Sequence, residues 1–388
     1  MRLDKIKSFS LIGEKNTIDL EIDSEDHNFY CNDICVSNSH SVSYASLAAL
    51  SVYLKFKYPL DFFLESLKMA REKQNVAEEI NLIQAELKYF DIKLLPPDLV
   101  KSDLDFKKEG LNLRFGLTGV KGISDKTIEA LKGFVNAEKT NKFEVFQAAK
   151  KSGMSIGILS ALAQAGCLQS LDENRPAIVF EAQLWNILTD REKTWCMLHG
   201  REYNYSLFDI LNNSDKILDD KGKKLFKDTR IETIKNKASP YREIFKMNNK
   251  YPAFASWIME KRLLGFSYSQ RLKDIFQKYS SNKVEELALT EHLEENDSIT
   301  VVGEVTEINE KTSKKNKKYA SIIISDESAT KEVLLFEPRF SEFKNDNLIP
   351  KEGDIVILDI KKWSDTWTLQ KIKISEDKVY LKLAELKD

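Results

Sequence analysis

The chain holds too little thiol and imidazole to be organised around either. Its four cysteines, at 31, 35, 167 and 196, show no Cys-x-x-Cys spacing, and its four histidines are scattered. A disulfide framework and a zinc centre are therefore both disfavoured, and no metal site is expected. No apolar run approaches the ~18 residues of a membrane span. The opening Met1-Arg-Leu-Asp-Lys-Ile-Lys also lacks the apolar core of a secretion signal. These absences predict a cytoplasmic chain with no membrane partner. Bulk charge of one sign is missing too, with 59 Lys+Arg against 61 Asp+Glu, so any nucleic-acid contact has to come from local patches. What is present is a soluble, globular composition of 42% hydrophobic and 31% charged residues, and 388 residues are enough for two or three domains.

The most informative stretch lies near the front. Two β-like runs, Thr17–Ile22 and Phe29–Val36, flank an Asp-Ser-Glu-Asp cluster, and a third such run covers Lys5–Leu11. The stretch ends on Asn38-Ser39. An Asn side chain can attack its own peptide carbonyl, close a succinimide and cut the chain. A hydroxyl at the next position can hold an acyl group as an ester, and His27 is available to move protons. Taken singly, these residues also fit a plain surface hairpin.

Together they resemble the C-terminal splicing blocks of an intein, on Ile18-Asp19-Leu20, His27-Asn28-Phe29, Asn32-Asp33-Ile34-Cys35-Val36 and Asn38-Ser39. Most inteins place His before the terminal Asn, whereas Ser37 stands here, a feature shared with split inteins of bacterial replicative polymerases. The resemblance implies that residues 1–38 are a C-intein, half of a Hint fold, completed by a second chain. It casts Asn38 and Ser39 as the reacting pair, His27 as proton carrier and Asp19 as an orienting group.

From Ser39 the pattern turns helical. Ser41–Tyr58 is apolar most of the way round, as in a buried helix. Pro59–Ala70 starts with Pro in its favoured first turn, and Val76–Phe90 is amphipathic. An extended segment at 94–106 leads to a strand at Leu113–Gly116. The order Ser39-His-Ser-Val-Ser-Tyr-Ala, Tyr53-Leu-Lys-x-x-Tyr-Pro59, Leu95-Pro-Pro-Asp-x-x-x-Ser-Asp103 and Arg114-Phe-Gly-Leu-x-x-Val-Lys-Gly122 resembles the bacterial DNA polymerase III alpha subunit. The likeness runs from Ser39 to about Ile374. The family's Phe-Asn-Lys before Ser-His is replaced by the intein end. The resemblance implies that the catalytic aspartates, and the Mg2+ they hold, belong to an N-terminal half carrying the N-intein, so this chain alone is expected not to polymerise DNA. It also puts His40 near the incoming nucleotide, although a helix-start histidine without a ligand fits equally.

Leu117–Leu131 fits a helix-hairpin-helix. Gly122 permits the tight turn, Ser124 caps the second helix in place of the usual second Gly, and Lys121 and Lys126 add charge for phosphate contact. An ordinary helix turn is the competing reading. Leu159–Leu168 reads as a packed helix with a Gly stop. Asn204-Tyr205-Ser206-Leu207-Phe208 lies in a polar stretch read as a mobile linker, and resembles the sliding-clamp-binding pentapeptide Gln-x-Ser/Asp-Leu-Phe. The other reading tucks Leu207 and Phe208 back on their own domain. Trp257–Phe266 is a helix stopping at Gly265, and Ser267–Leu272 has no assigned function.

From Ser298 the period becomes two. Five strands, 299–308, 319–325, 331–336, 354–360 and 366–374, match the count of an OB barrel. Lys311, Lys314, Lys315, Lys317 and Lys318 crowd the first hairpin, and Tyr319, Phe336, Trp363 and Trp367 offer stacking surfaces for single-stranded DNA. Solvated lysines and core aromatics are the alternative.

The expected architecture is multidomain α+β: C-intein 1–38, fingers part 39–110, helix-hairpin-helix region 111–200, clamp-motif linker and helices 201–297, OB fold 298–376 and a tail 377–388. The expected function is a polymerase half joined to its partner by trans-splicing, a step needing no cofactor. Sliding clamp and DNA are the further partners. A non-splicing accessory DNA- and clamp-binding protein is the rival.

Overall fold

The computed structural model describes residues 28–31, 34–37, 41–70, 73, 76–123, 127–172, 174–219, 221–313 and 316–376. The chain divides into two compact units, Met1–Phe62 and Phe63–Asp388.

In the first unit β1 (Asn28–Cys31) and β2 (Ile34–Ser37) pair antiparallel, from Asn28↔Ser37 to Cys31↔Ile34. Alternation alone predicted one strand over Phe29–Val36. The described residues of that run form two strands that pair with each other instead. The earlier strands, at 5–11 and 17–22, lie outside the described residues. Helix α1 (Ser41–Lys57) forms where expected but is not buried. Tyr44, Leu47, Leu50 and Val52 are 70%, 59%, 52% and 55% exposed.

The helix α2 (Pro59–Ala70) runs into the second unit, where Phe63, Leu64 and Leu67 turn inward. After α3 (Val76–Leu87), three short strands form a small sheet: β3 (Leu94–Leu95) runs parallel and β4 (Lys107–Glu109) antiparallel to β5 (Asn112–Arg114). The chain then crosses itself at Gly116, where a Cβ would lie 2.4 Å from the carbonyl carbon of Asp105. Only glycine fits such a crossing.

A helical layer follows: α4 (Ile128–Val135), α5 (Lys142–Lys151), α6 (Ile156–Gln164), α7 (Arg175–Ile187), α8 (Asp190–His199), α9 (Leu207–Asn212), α10 (Asp228–Asn249) and α11 (Pro252–Leu264). The side chains of Asn141, Ser155, Asn174, Thr189 and Ser206 accept a backbone N–H at the starts of α5 to α9, as these residue types favour. Gly265 ends α11 at φ +89, the stop expected from the sequence.

Arg175 joins this layer. It is 1% exposed, pairs with Glu260 of α11 at 2.6 Å, and donates to the carbonyls of Gln164 (3.3 Å) and Ser256 (3.2 Å). Glu260 accepts in turn from Ser267 Oγ (2.8 Å) and from the N–H groups of Tyr268 (2.8 Å) and Ser269 (3.1 Å). The segment after α11, to which the sequence assigned nothing, is thus the collar of a buried carboxylate. A Cβ on Gly166 would sit 2.6 Å from Arg175 Nη2, so its glycine lets the guanidinium in.

Beyond α12 (Leu272–Phe276) lies a six-stranded sheet of β6 (Val284–Glu285), β7 (Ser298–Thr312), β8 (Lys318–Ser325), β9 (Thr330–Phe336), β10 (Ile355–Trp363) and β11 (Thr366–Ile374). Its order is β10-β11-β9-β8-β7-β6, and β10 also pairs with β7, so five strands form a closed circuit of pairing. The helix α13 (Arg339–Asn345) intervenes between β9 and β10. Alternate residues such as Val305, Ile322, Ile324, Val333, Leu358 and Leu369 fill the interior. Outside it, Val302, Ile355 and Ile357 pack with Phe254, Trp257 and Phe276, which fastens the sheet to α11 and α12. Glu327 secures the same junction by accepting from Trp257 Nε1 and from Leu272 N–H, while burial pushes its pKa up.

Arg175→Met is expected to cost about 3–5 kcal/mol in urea unfolding, because Glu260 stays buried without its cation. Adding Glu260→Leu should cost clearly less than the sum of the two single changes. Additive losses would show that the two side chains do not act as one joint.

Candidate nucleic-acid interface

Two surfaces carry the residues expected to meet DNA. The first is the hairpin before α4. A single 3-10 turn, Leu117–Gly119, leads into it, and Ile123 N–H closes on Val120 O at 3.2 Å. Lys121 and Gly122 are exposed. Gly122 has φ +94 with open space where a Cβ would stand, so its conformation, and not crowding, calls for glycine. Lys121 N–H donates to Leu263 O at 2.8 Å, which ties the hairpin to the end of α11. Sequence reasoning missed that anchor because a backbone acceptor leaves no mark in residue type. Ser124 and Lys126 lie outside the described residues. Thr127, at the cap position of α4, makes no side-chain cap.

The second surface is one end of the six-stranded sheet. Ser313 N–H donates to Lys317 O at 2.8 Å and Asn316 takes φ +56, so the β7–β8 connection is tight and leaves Lys317 and Lys318 exposed. Lys314 and Lys315 lie outside the described residues. Tyr319 and Phe336 are directly opposite on β8 and β9, with ring centroids 5.6 Å apart, on the face turned away from the core. Phe336 is 43% exposed and Trp363, at the β10–β11 turn, 62% exposed. Trp367 corrects the expectation. It is 7% exposed and packs inside the sheet, because its position on β11 points inward.

The segment Asn204–Phe208 is not a mobile linker. Asn204 and Tyr205 take positive φ of 50 and 53, Tyr205 packs edge-on against Phe143, and Ser206 caps α9. Leu207 is fully buried, and its N–H donates to Glu181 Oε1 at 2.8 Å. Glu181 is itself paired with Lys142. Burial works against the Lys142 ammonium, but Glu181 and Asp172 outweigh it and hold its pKa above the ordinary value. Phe208 lies between Phe180 (5.6 Å) and Phe245 (5.4 Å). The apolar pair therefore serves its own domain, since burial of a Leu is worth more than its exposure in a loop.

His27, Asn38, Ser39, His40 and Asp19 lie outside the described residues, and Ser37 closes β2. Among the described residues no three His, Cys, Asp or Glu side chains cluster as a metal site requires. No described helix is long and apolar enough to cross a membrane.

A helix-hairpin-helix region and a sheet with the strand order of an OB fold define a class of nucleic-acid-binding architecture. Comparison with known proteins narrows it. The family model "Helix-hairpin-helix motif" matches residues 91–178. Homologues of the chain are DNA polymerase III alpha subunits. That of Aquifex aeolicus is 24% identical over 329 residues, covering 83% of this chain and 23% of its own length. That of Halalkalibacterium halodurans is 30% identical over 138 residues, 35% of this chain and 12% of its own. That of Borreliella burgdorferi is 22% identical over 328 residues, 82% of this chain and 26% of its own. The chain thus spans no more than 26% of the length of these relatives. Among solved structures, the chain is similar to a mitochondrial single-stranded DNA binding protein of S. cerevisiae (15% identity, 22% of this chain, 100% of that one, TM-score 0.19). It is also similar to the second OB-fold domain of replication protein A from Methanococcus maripaludis (19%, 25% and 99%, TM-score 0.18). Likenesses this slight add nothing to the topology given by the strands themselves.

Leu207→Ala is expected to lower unfolding stability by about 2–5 kcal/mol, as for other fully buried leucines. A surface-linker leucine would change it by less than about 0.5 kcal/mol, so urea titration separates the two placements.

Proposed function

We propose that this chain is the C-terminal part of a bacterial replicative DNA polymerase alpha subunit, made as a precursor whose residues 1–38 are a C-intein. One observation carries the polymerase reading: the match to an alpha subunit extends over 83% of the chain. The exposed apolar side chains of α1 support it, since such a surface is what a complementary polymerase half would cover.

DNA contact follows from the two surfaces. The hairpin offers Lys121, Gly122, Ser124 and Lys126 to phosphates. The closed circuit reads as an OB barrel, whose second and third strands and flanking loops take oligonucleotides in other proteins. Tyr319 and Phe336 sit on those strands, Lys314, Lys315 and Lys317 in one loop and Trp363 in the other. His40 would lie near the nucleotide. Capture of a sliding clamp by Asn204–Phe208 would require Leu207 to leave its pocket. Mg2+ is expected on the other half, and the described residues supply no ligand cluster for it, so it enters no step here.

The intein reading rests on residue chemistry. An N-intein partner passes its acyl-linked polymerase half to Ser39 Oγ, forming an ester. The Asn38 side-chain nitrogen attacks its own backbone carbonyl, closing a succinimide and freeing the Ser39 amine. That amine takes the acyl group from Oγ, which leaves a peptide bond. His27 moves the protons, Asp19 orients the nucleophile, and Ser37 stands where most inteins have a second imidazole.

Intact-mass measurement after mixing with an N-intein-bearing partner tests the splicing. Wild type should yield a ligated product and free intein, Ser39→Ala no ligation, Asn38→Ala a hydroxylamine-labile branched ester, and His27→Ala slow release. Full ligation by Asn38→Ala refutes the mechanism.

DNA contact is tested by titrating labelled oligo-dT at several salt concentrations. Binding should weaken steeply as salt rises, and Phe336→Ala and Trp363→Ala should each weaken it by roughly 5–150-fold, the range for losing one stacked base. Salt-independent binding unaffected by either change would remove the sheet from the DNA contact.

A further inference from the structure

Phe208 also forms part of a feature unrelated to nucleic acid. The helices α7, α9 and α10 enclose a groove of about 320 Å³. Phe180, Leu184 and Ile234 make its buried floor, and Phe208 and Phe245 its half-buried walls. Cations stand on one rim only: Lys235, Arg242 and Lys246, all on α10 and all exposed. No acidic side chain lines the groove. Lys246 is engaged by Glu243 at 2.9 Å, whereas no ion pair or hydrogen bond of Lys235 or Arg242 is seen among the described residues. Positions 235 and 242 are two helical turns apart, so their charges project about 10 Å from each other along a single stripe.

The rings exclude one class of occupant. Phe245 stacks on Phe180 and on Phe208, with centroids 5.1 and 5.4 Å away, and Phe208 is tilted against Phe180 at 5.6 Å, so the faces that meet are closed to a nucleobase. An apolar trough beside Lys235 and Arg242, which show no partner among the described residues, matches instead a helix with apolar residues on one face and carboxylates at its edge.

We propose that this groove receives an acidic amphipathic helix from a partner protein. Two of its apolar side chains, one turn apart, enter the trough, and two carboxylates, two turns apart, meet Lys235 and Arg242. Phe208 is then the wall of a receptor, and stays where the structure has it.

The test uses the full chain and fluorescence anisotropy. The probe is a short labelled Ala/Glu helix with Leu and Phe one turn apart. Competitors are its Glu→Lys counterpart, oligo-dT, and a synthetic peptide of residues 377–388 of this chain. The acidic helix should bind, and Lys235→Glu with Arg242→Glu should weaken it at least about tenfold. Both positions are exposed, so folding is preserved, and Leu211→Glu in the groove wall should abolish binding, with a melting curve as control. The proposal is overturned if the acidic helix does not bind, if the Lys peptide binds equally well, or if the rim variant binds as wild type does. Displacement by oligo-dT would make the rim a phosphate site, and displacement by the 377–388 peptide would give the groove to the chain's own end. Either result also overturns it.

Discussion

The second unit depends on a charge pair that water does not reach. Arg175 and Glu260, 1% and 0% exposed at their side chains, bring α6, α7, α11 and the loop after α11 to one point. Two buried charges cost several kcal/mol each to desolvate, and their attraction offsets this only when the remaining donors and acceptors are satisfied. Here they largely are, with two carbonyls on Arg175 and two backbone N–H groups on Glu260. Geometry is the gain, since the pair can form in one arrangement of the four segments. Gly166 is part of that arrangement, because any Cβ would occupy the space of the guanidinium.

That joint positions both candidate DNA surfaces. Lys121 is held by the carbonyl of Leu263, close in sequence to Glu260 on the same helix. Trp257, one turn earlier on α11, takes part in the packing that fastens the sheet. A single helix therefore carries the hairpin anchor, the carboxylate and the sheet contact. Motion of the hairpin relative to the sheet would have to strain α11 or break one of these contacts.

The first unit behaves differently. Its helix α1 keeps Tyr44, Leu47, Leu50 and Val52 largely in solvent. At about 25 cal/mol per Å² of apolar surface, covering such a face is worth several kcal/mol. The sequence pattern recorded a need for burial, and the chain does not meet it within its described residues.

Local chemistry was legible in the sequence. The stop at Gly265 and the five strands from Ser298 onward follow from residue type and short spacing. Those are properties of neighbours in the chain. Tertiary structure alone decided what depends on distant partners. Alternation could not say which aromatics of the sheet face inward, and the strand register put Trp367 inside and Phe336 outside. Leu207-Phe208 read as a ligand for another protein until Glu181 and the phenylalanines of α7 and α10 claimed it. Arg175 and Glu260 gave no sign of each other, because an ion pair between remote positions has no periodicity. Its energy depends on burial, and burial exists only once the chain has folded.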